Sequence, residues 1–249
     1  MAKNAKGFGN LLTPGLANTK TALGEGKKHM TAIMHLAPHK QAGVGNTCAF
    51  ASPGCIDACL NTAGRGRFDA TQNARNNRTI YFYAEREAFK ALLVKEIAAH
   101  ERKAKRNGKI AAVRLNGTSD ILWEIIFPEL FAMFPDVVFY DYTKAPHRCM
   151  KSYRLPANYH LTFSRSEEND ADCRRVLRSG KCNVAVVFEN DNYPTTFMGK
   201  KVFSMDGDDK RFLDPPGGQV GALYAKGKGK KDNSGFAVPT CSLVKLGGA

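Results

Sequence analysis

The feature that most constrains the fold is a theme that recurs after residue 108. A short run of β-branched and aromatic residues ends in polar side chains and is followed by a helical or turn-rich stretch. IAAVRL at 110–115 reads as a buried strand ending at Asn116, GTSD at 117–120 as a turn with a helix cap, and 121–134 as a helix broken at Pro128. VVFYDY at 137–142 is a second such strand, with Thr143 and Lys144 at its end. YHLTFS at 159–164 is a third, followed by capping chemistry in SEEND at 166–170 and a helix that stops near Gly180. VAVVFE at 184–189 and VFSM at 202–205 continue the series. Upstream, MTAIMHL at 30–36 reads as the first strand, and a helix begins over 69–77. Over 80–106, Phe82, Phe89, Leu93 and Ile97 trace a helical stripe that Asn107-Gly108 ends. Strands separated by helices imply parallel β-structure with right-handed crossovers, here an α/β fold with a partial (β/α) barrel-like parallel sheet.

In such sheets the loops at the carboxyl ends of the strands form the site. Asn116, Ser119 and Asp120, then Thr143 and Lys144, then Ser164 and Ser166 occupy those ends, followed by Glu189 and Asn190 and by Asp206, Asp208 and Asp209. A structural role as caps competes with a binding role for Ser119, Asp120 and Ser166.

The first strand leads directly into a cysteine-rich loop at 47–60 that holds Cys48, Cys55 and Cys59 in a C-x6-C-x3-C arrangement. Thiolates are soft ligands suited to zinc or iron–sulfur clusters. Three close cysteines would hold a [4Fe-4S] cluster by three irons and leave the fourth to another ligand. Four close ligands would favour a structural zinc site, so zinc here would need Cys149, Cys182 or a histidine such as His39. Ordinary thiols remain the plain alternative. Ser52-Pro-Gly54 lets the chain turn back, and Cys55 and Cys59 are spaced to share a helical face.

Length and composition set the frame for this chemistry. A chain of 249 residues buries a core without staples, and no run approaches the about 18 apolar residues of a membrane span. The expected layout is an irregular arm over 1–29, one α/β domain over 30–225 and a basic Gly/Lys segment over 226–249. No apolar signal region opens the chain, so the expected compartment is the cytoplasm, where seven cysteines are thiols or ligands. The formal charge of +14 sits partly in Gly/Lys segments and partly on helices such as 100–106. It permits contact with nucleic acid, but no DNA- or RNA-binding motif accompanies it. Walker loop, G-x-S-x-G elbow and H-E-x-x-H are absent from the sequence.

The order of several short motifs is more specific than any one of them. Cys48, Cys55 and Cys59, RNNR at 75–78, VRLNGTSD at 113–120, YDYTK at 140–144 and DGDD at 206–209 together resemble the gene-product-eighty-eight-like family of tailed-phage proteins. That family is similar in layout to radical SAM proteins, whose cluster loop follows the first strand of a partial (β/α) barrel. The resemblance implies a [4Fe-4S] cluster on Cys48, Cys55 and Cys59, with S-adenosylmethionine at its free iron and Asn116, Ser119, Asp120, Thr143, Lys144 and Ser164 lining the cofactor cavity. It implies a phage protein in the host cytoplasm and radical-SAM-like enzyme chemistry. Both cysteine gaps differ from the usual radical SAM spacing, and Ala58 stands where an aromatic residue commonly precedes the last cysteine. The alternative is a non-catalytic nucleic-acid-binding protein whose metal only staples the loop.

Overall fold

Apolar runs of five or six residues flanked by turn chemistry form the strands of the computed structural model, which describes residues 7–15 and 28–240. Cys241, the tail after it and most of the expected arm lie outside the described residues. The strands are β1 (Leu12–Pro14), β2 (His29–Met34), β3 (Ile110–Arg114), β4 (Val138–Thr143), β5 (Tyr159–Ser164), β6 (Val184–Phe188), β7 (Thr196–Phe197), β8 (Lys200–Ser204) and β9 (Val220–Tyr224). The helices are α1 (Pro53–Asp57), α2 (Asp69–Ala84), α3 (Arg86–Arg106), α4 (Trp123–Ile126), α5 (Glu129–Met133) and α6 (Asp170–Ser179).

Hydrogen bonds order the strands β1-β2-β3-β4-β5-β6-β9-β8-β7. β2 pairs in parallel with β3, β5 with β6, β6 with β9 and β8 with β9, whereas β1 with β2 and β7 with β8 are antiparallel. The sheet is therefore mostly parallel and mixed at both margins. From β2 to β6 each strand lies beside its predecessor in sequence, without the reversal that marks a doubly wound sheet.

The chain divides into two compact units, where the sequence suggested one domain over 30–225. The first takes residues up to 49 with 65–141 and 155–160, and the second takes 50–64, 142–154 and the residues from 161 onward. In the first unit the expected helical stripe over 80–106 is interrupted at Glu85, whose backbone leaves helical geometry. Phe82 and Phe89 meet across that break, ring centroids 5.2 Å apart, and Phe82 lies 5.5 Å from Trp123. Each ring is fully buried or nearly so, and burying one such side chain contributes about 2–3 kcal/mol. α3 buries Phe89, Leu93 and Ile97 along one stripe and ends on Lys103, Lys105 and Arg106, cations that complement its carboxyl-terminal dipole. Pro128 separates α4 from α5 as its missing N–H predicts.

In the second unit α6 buries Cys173, Val176 and Leu177 and stops at Gly180, a left-handed cap. β9 was not anticipated from the sequence, although it pairs with both β6 and β8. Its run VGALY lies between Pro215-Pro216-Gly217-Gly218 and the Gly/Lys stretch, and those neighbours read as loop. Residues of the basic segment up to 240 are built into the unit. Val238 bridges to Phe188, and Asn190 Nδ2 donates to Thr240 Oγ1 at 2.8 Å.

Candidate metal centre

Cys48 follows the carboxyl end of β2, and neutral hydrogen bonds hold it there. Thr47 Oγ1 donates to Ala37 O at 2.6 Å, while Asp120 N donates to Thr47 O at 2.8 Å. Thr118 Oγ1 donates to Leu36 O at 2.5 Å, and Gly117 N to Met34 O at 2.9 Å. The Cys48 thiol lies 3.8 Å from Thr118 O and 3.8 Å from Thr47 Oγ1. Just before it, the Tyr83 ring packs on Gly45 and its hydroxyl donates to Asn46 O at 3.0 Å. A Cβ at Gly45 would fall 2.6 Å from a Tyr83 ring carbon, so only glycine fits without movement. Burial pushes the Tyr83 phenol up, against the pull of Arg86.

Asn116 fixes the adjoining end of β3. Its Oδ1 accepts from Ser119 Oγ at 2.8 Å, Ile121 N at 3.0 Å and Trp123 Nε1 at 3.2 Å. Its Nδ2 donates to Ile121 O at 2.9 Å and to Asp141 Oδ2 at 3.3 Å. Asp141, fully buried, also accepts from Asn116 N at 2.7 Å and Tyr159 OH at 2.8 Å, the donors a buried carboxylate requires. Beside this network His35 has its pKa lowered to about 3 by burial and by Arg75, Arg114 and Arg78, so the ring is neutral.

Cys55 is held by charge in the second unit. Ser52 is the N-cap of α1: its Oγ accepts from Cys55 N at 3.3 Å and donates to Glu167 Oε2 at 2.8 Å. Gly54 N donates to Glu167 Oε1 at 2.7 Å, so one carboxylate closes the first turn of the helix. A Cβ at Gly54 would run into Ser234 Oγ and lie 2.8 Å from the Glu167 carboxylate. α1 ends at Asp57 with Ala58 as its cap, and the backbone of Cys59 is no longer helical. The helical face that spacing suggested for Cys55 and Cys59 therefore does not form. Glu167 was read from sequence only as part of a capping run, and its reach across 113 residues to Gly54 leaves no local signal.

The other strand-end residues divide between the units. Asn116 and Ser119 bond to one another in the first, and the Asp120 backbone anchors Thr47. In the second, Thr143 Oγ1 accepts from Ala145 N at 3.1 Å and Arg148 Nη1 at 3.0 Å, and Lys144 Nζ donates to Ser164 Oγ at 2.9 Å. Ser166 N donates to Asn169 Oδ1 at 2.7 Å, and the N-cap position of α6 falls on Asn169 rather than on Ser166. The acidic turn at 206–209 is committed to cations: Asp206 accepts from Lys226 at 2.9 Å, and Asp208 faces Lys210 and Arg211. His147 packs on Phe50 and Tyr153.

Exposure separates the cysteines. Cys48, Cys55 and Cys59 are half-buried, whereas Cys149, Cys173 and Cys182 are buried. Burial pushes the Cys173 thiol up to about 12, chemically inert at neutral pH. Among the described residues no three His, Cys, Asp or Glu side chains are gathered as ligands of one ion. The donor chemistry of the loop suits a thiophilic metal or cluster. Among the described residues no helix is long and apolar enough to cross a membrane.

The fold and its loop define a mostly parallel α/β protein with solvent-reaching thiols after the carboxyl end of an inner strand. Residues 10–240 match the sequence model of the family described as Gene product 88, and the chain belongs to that family. No curated protein and no solved structure matches it.

Proposed function

We propose that the chain is an iron–sulfur protein in which Cys48, Cys55 and Cys59 hold a [4Fe-4S] cluster, with radical-SAM-like catalysis as its chemistry. The observation that carries this reading is the division of the thiols. The three on the 47–60 loop are half-buried and the other three described cysteines are buried, so the loop thiols meet an incoming cluster without local opening of the fold. The singly progressing order from β2 to β6 supports the partial-barrel likeness.

In this reading the chain's own residues set the loop. Thr47 and Thr118 fix the Cys48 end, while Ser52 and Glu167 fix the Cys55 end. A bound cluster would supply one-electron chemistry to S-adenosylmethionine, the cofactor carrying the difficult step. Lys144 and Ser164, bonded to one another and half-buried, are a strand-end pair assigned in this reading to orient such a cofactor.

The test is anaerobic reconstitution followed by metal analysis. About four irons with matching sulfide per chain support the reading, and zinc in their place contradicts it. A change in the electron paramagnetic resonance signal of the reduced protein on adding S-adenosylmethionine supports the enzymatic part. An unchanged signal reduces the reading to an electron-transfer or structural cluster.

A further inference from the structure

Two cysteines outside the loop are held against one another. Cys149 lies at the end of a 3-10 turn (Pro146–Cys149) and Cys182 just after α6, both in the second unit and both buried. Four side-chain hydrogen bonds clamp the segments that carry them. Ser179 Oγ donates to Cys149 O at 3.0 Å. Lys181 Nζ donates to Arg148 O at 3.1 Å, to Met150 O at 3.1 Å and to Tyr153 O at 2.5 Å. The residues on either side of Cys149 are thus fastened to the residues just before Cys182, and the two thiols share a hydrogen bond.

We infer that Cys149 and Cys182 are a dithiol site that a small-molecule disulfide converts to an intramolecular disulfide, locking the turn at 146–153 onto the end of α6. The inference is independent of any cluster on the 47–60 loop. The pair is polarised for this reaction. The hydrogen bond from Cys149 pushes the Cys182 thiol down, helped by the charges of Lys181 and Arg148 and opposed by burial. The same bond, with burial, holds Cys149 well above the ordinary thiol range. Cys182 is therefore the attacking thiolate. Its sulfur bonds to one sulfur of the oxidant and expels the other half as thiolate. Cys149, giving up its proton, then attacks the Cys182 sulfur of the mixed disulfide and expels the second half. Two protein thiols are oxidised and one disulfide is reduced to two thiols, so electrons and protons balance. Cys173, also buried, serves as the internal control: burial, with Asp170 and Asp172, pushes its thiol up to about 12 against the pull of Arg165 and Lys144.

The experiment equilibrates the full chain in glutathione buffers from reducing to oxidising, quenches with acid, alkylates, and maps non-reduced peptides by mass spectrometry. The expected result is a linked Cys149–Cys182 peptide that accumulates toward the oxidising end while Cys173 remains alkylated. Thermal unfolding of the oxidised chain should shift upward, because the bond constrains the unfolded state. In Cys149→Ser, a change of one atom, glutathione should remain trapped on Cys182. Persistence of both cysteines as alkylatable thiols in the most oxidising buffer would overturn the inference. Pairing of either with another cysteine, or trapping on Cys149 in Cys182→Ser but not on Cys182 in Cys149→Ser, would overturn it equally.

Discussion

The two ends of the cysteine loop are fixed by different physics. At Cys48 the anchors are hydroxyls and amides bonded to backbone carbonyls beside the buried Asn116 network. At Cys55 the anchor is one carboxylate, Glu167, reaching back over the first turn of a five-residue helix. Each end also has a glycine that admits no side chain, Gly45 under Tyr83 and Gly54 under Glu167. A neutral network distributes the load over many bonds, whereas a charged one concentrates it in a single residue. The Cys48 end should therefore yield most to changes in its hub, and the Cys55 end to substitution of Glu167.

The largest expected effect comes from that hub. Asn116→Ala removes the acceptor of three donors, including the indole of fully buried Trp123. Orphaned buried donors predict a loss of about 3 kcal/mol or more, to be read from denaturant midpoints. A loss below about 1 kcal/mol, the worth of a single ordinary bond, would show the network to be replaceable.

Next come the glycines. Gly45→Ala and Gly54→Ala should each cost about 1–3 kcal/mol through overpacking, with faster alkylation of Cys48 in the first and of Cys55 in the second. Equal acceleration at both cysteines in either variant would show that the ends do not respond separately.

Glu167→Gln keeps one acceptor and removes the charge, so the expected loss is smaller, about 1–2 kcal/mol. Its signature is local: Cys55 becomes easier to alkylate while Cys48 keeps its rate.

The effect that is smallest at neutral pH is a pH slope at the Cys48 end. His35 has its pKa at about 3 in the folded chain against 6.5 for an ordinary histidine. Between those values the unfolded chain binds a proton that the folded chain refuses. Stability therefore falls as the pH drops through 6.5 toward 3, by at most about 1.4 kcal/mol per pH unit. His35→Gln should flatten that part of the stability profile, and an unchanged profile would remove His35 as its cause.

These anchors also show where sequence reasoning reaches. The strands at 110–115, 159–164 and 184–189 were legible because apolar runs bounded by turn residues carry their own period, and the break at Pro128 follows from proline alone. The division of α2 from α3 at Glu85 was not, since no glycine or proline marks it and the aromatic packing of Phe82, Phe89 and Trp123 draws on residues 41 positions apart. β9 was hidden by the glycine- and lysine-rich stretches around it. At the site, the three loop cysteines could be named from spacing, but Glu167, Tyr83 and Lys181 act through contacts across 113, 37 and 33 residues. Ser119 and Ser166 read as helix caps in sequence, yet the N-cap positions of α4 and α6 fall on Leu122 and Asn169. The side chains the two serines meet, Asn116 and Asn169, carry no period that the sequence displays.

The central claim is that the solvent-reaching cysteines, and not the buried ones, hold a cluster. Its most direct test is iron and acid-labile sulfide per chain after anaerobic reconstitution of six single Cys→Ser variants. The account predicts loss of the cluster in Cys48→Ser, Cys55→Ser and Cys59→Ser, with content kept at the wild-type level in Cys149→Ser, Cys173→Ser and Cys182→Ser. Retention of full iron in any of the first three variants, or its loss in the folded buried-cysteine variants, would contradict it.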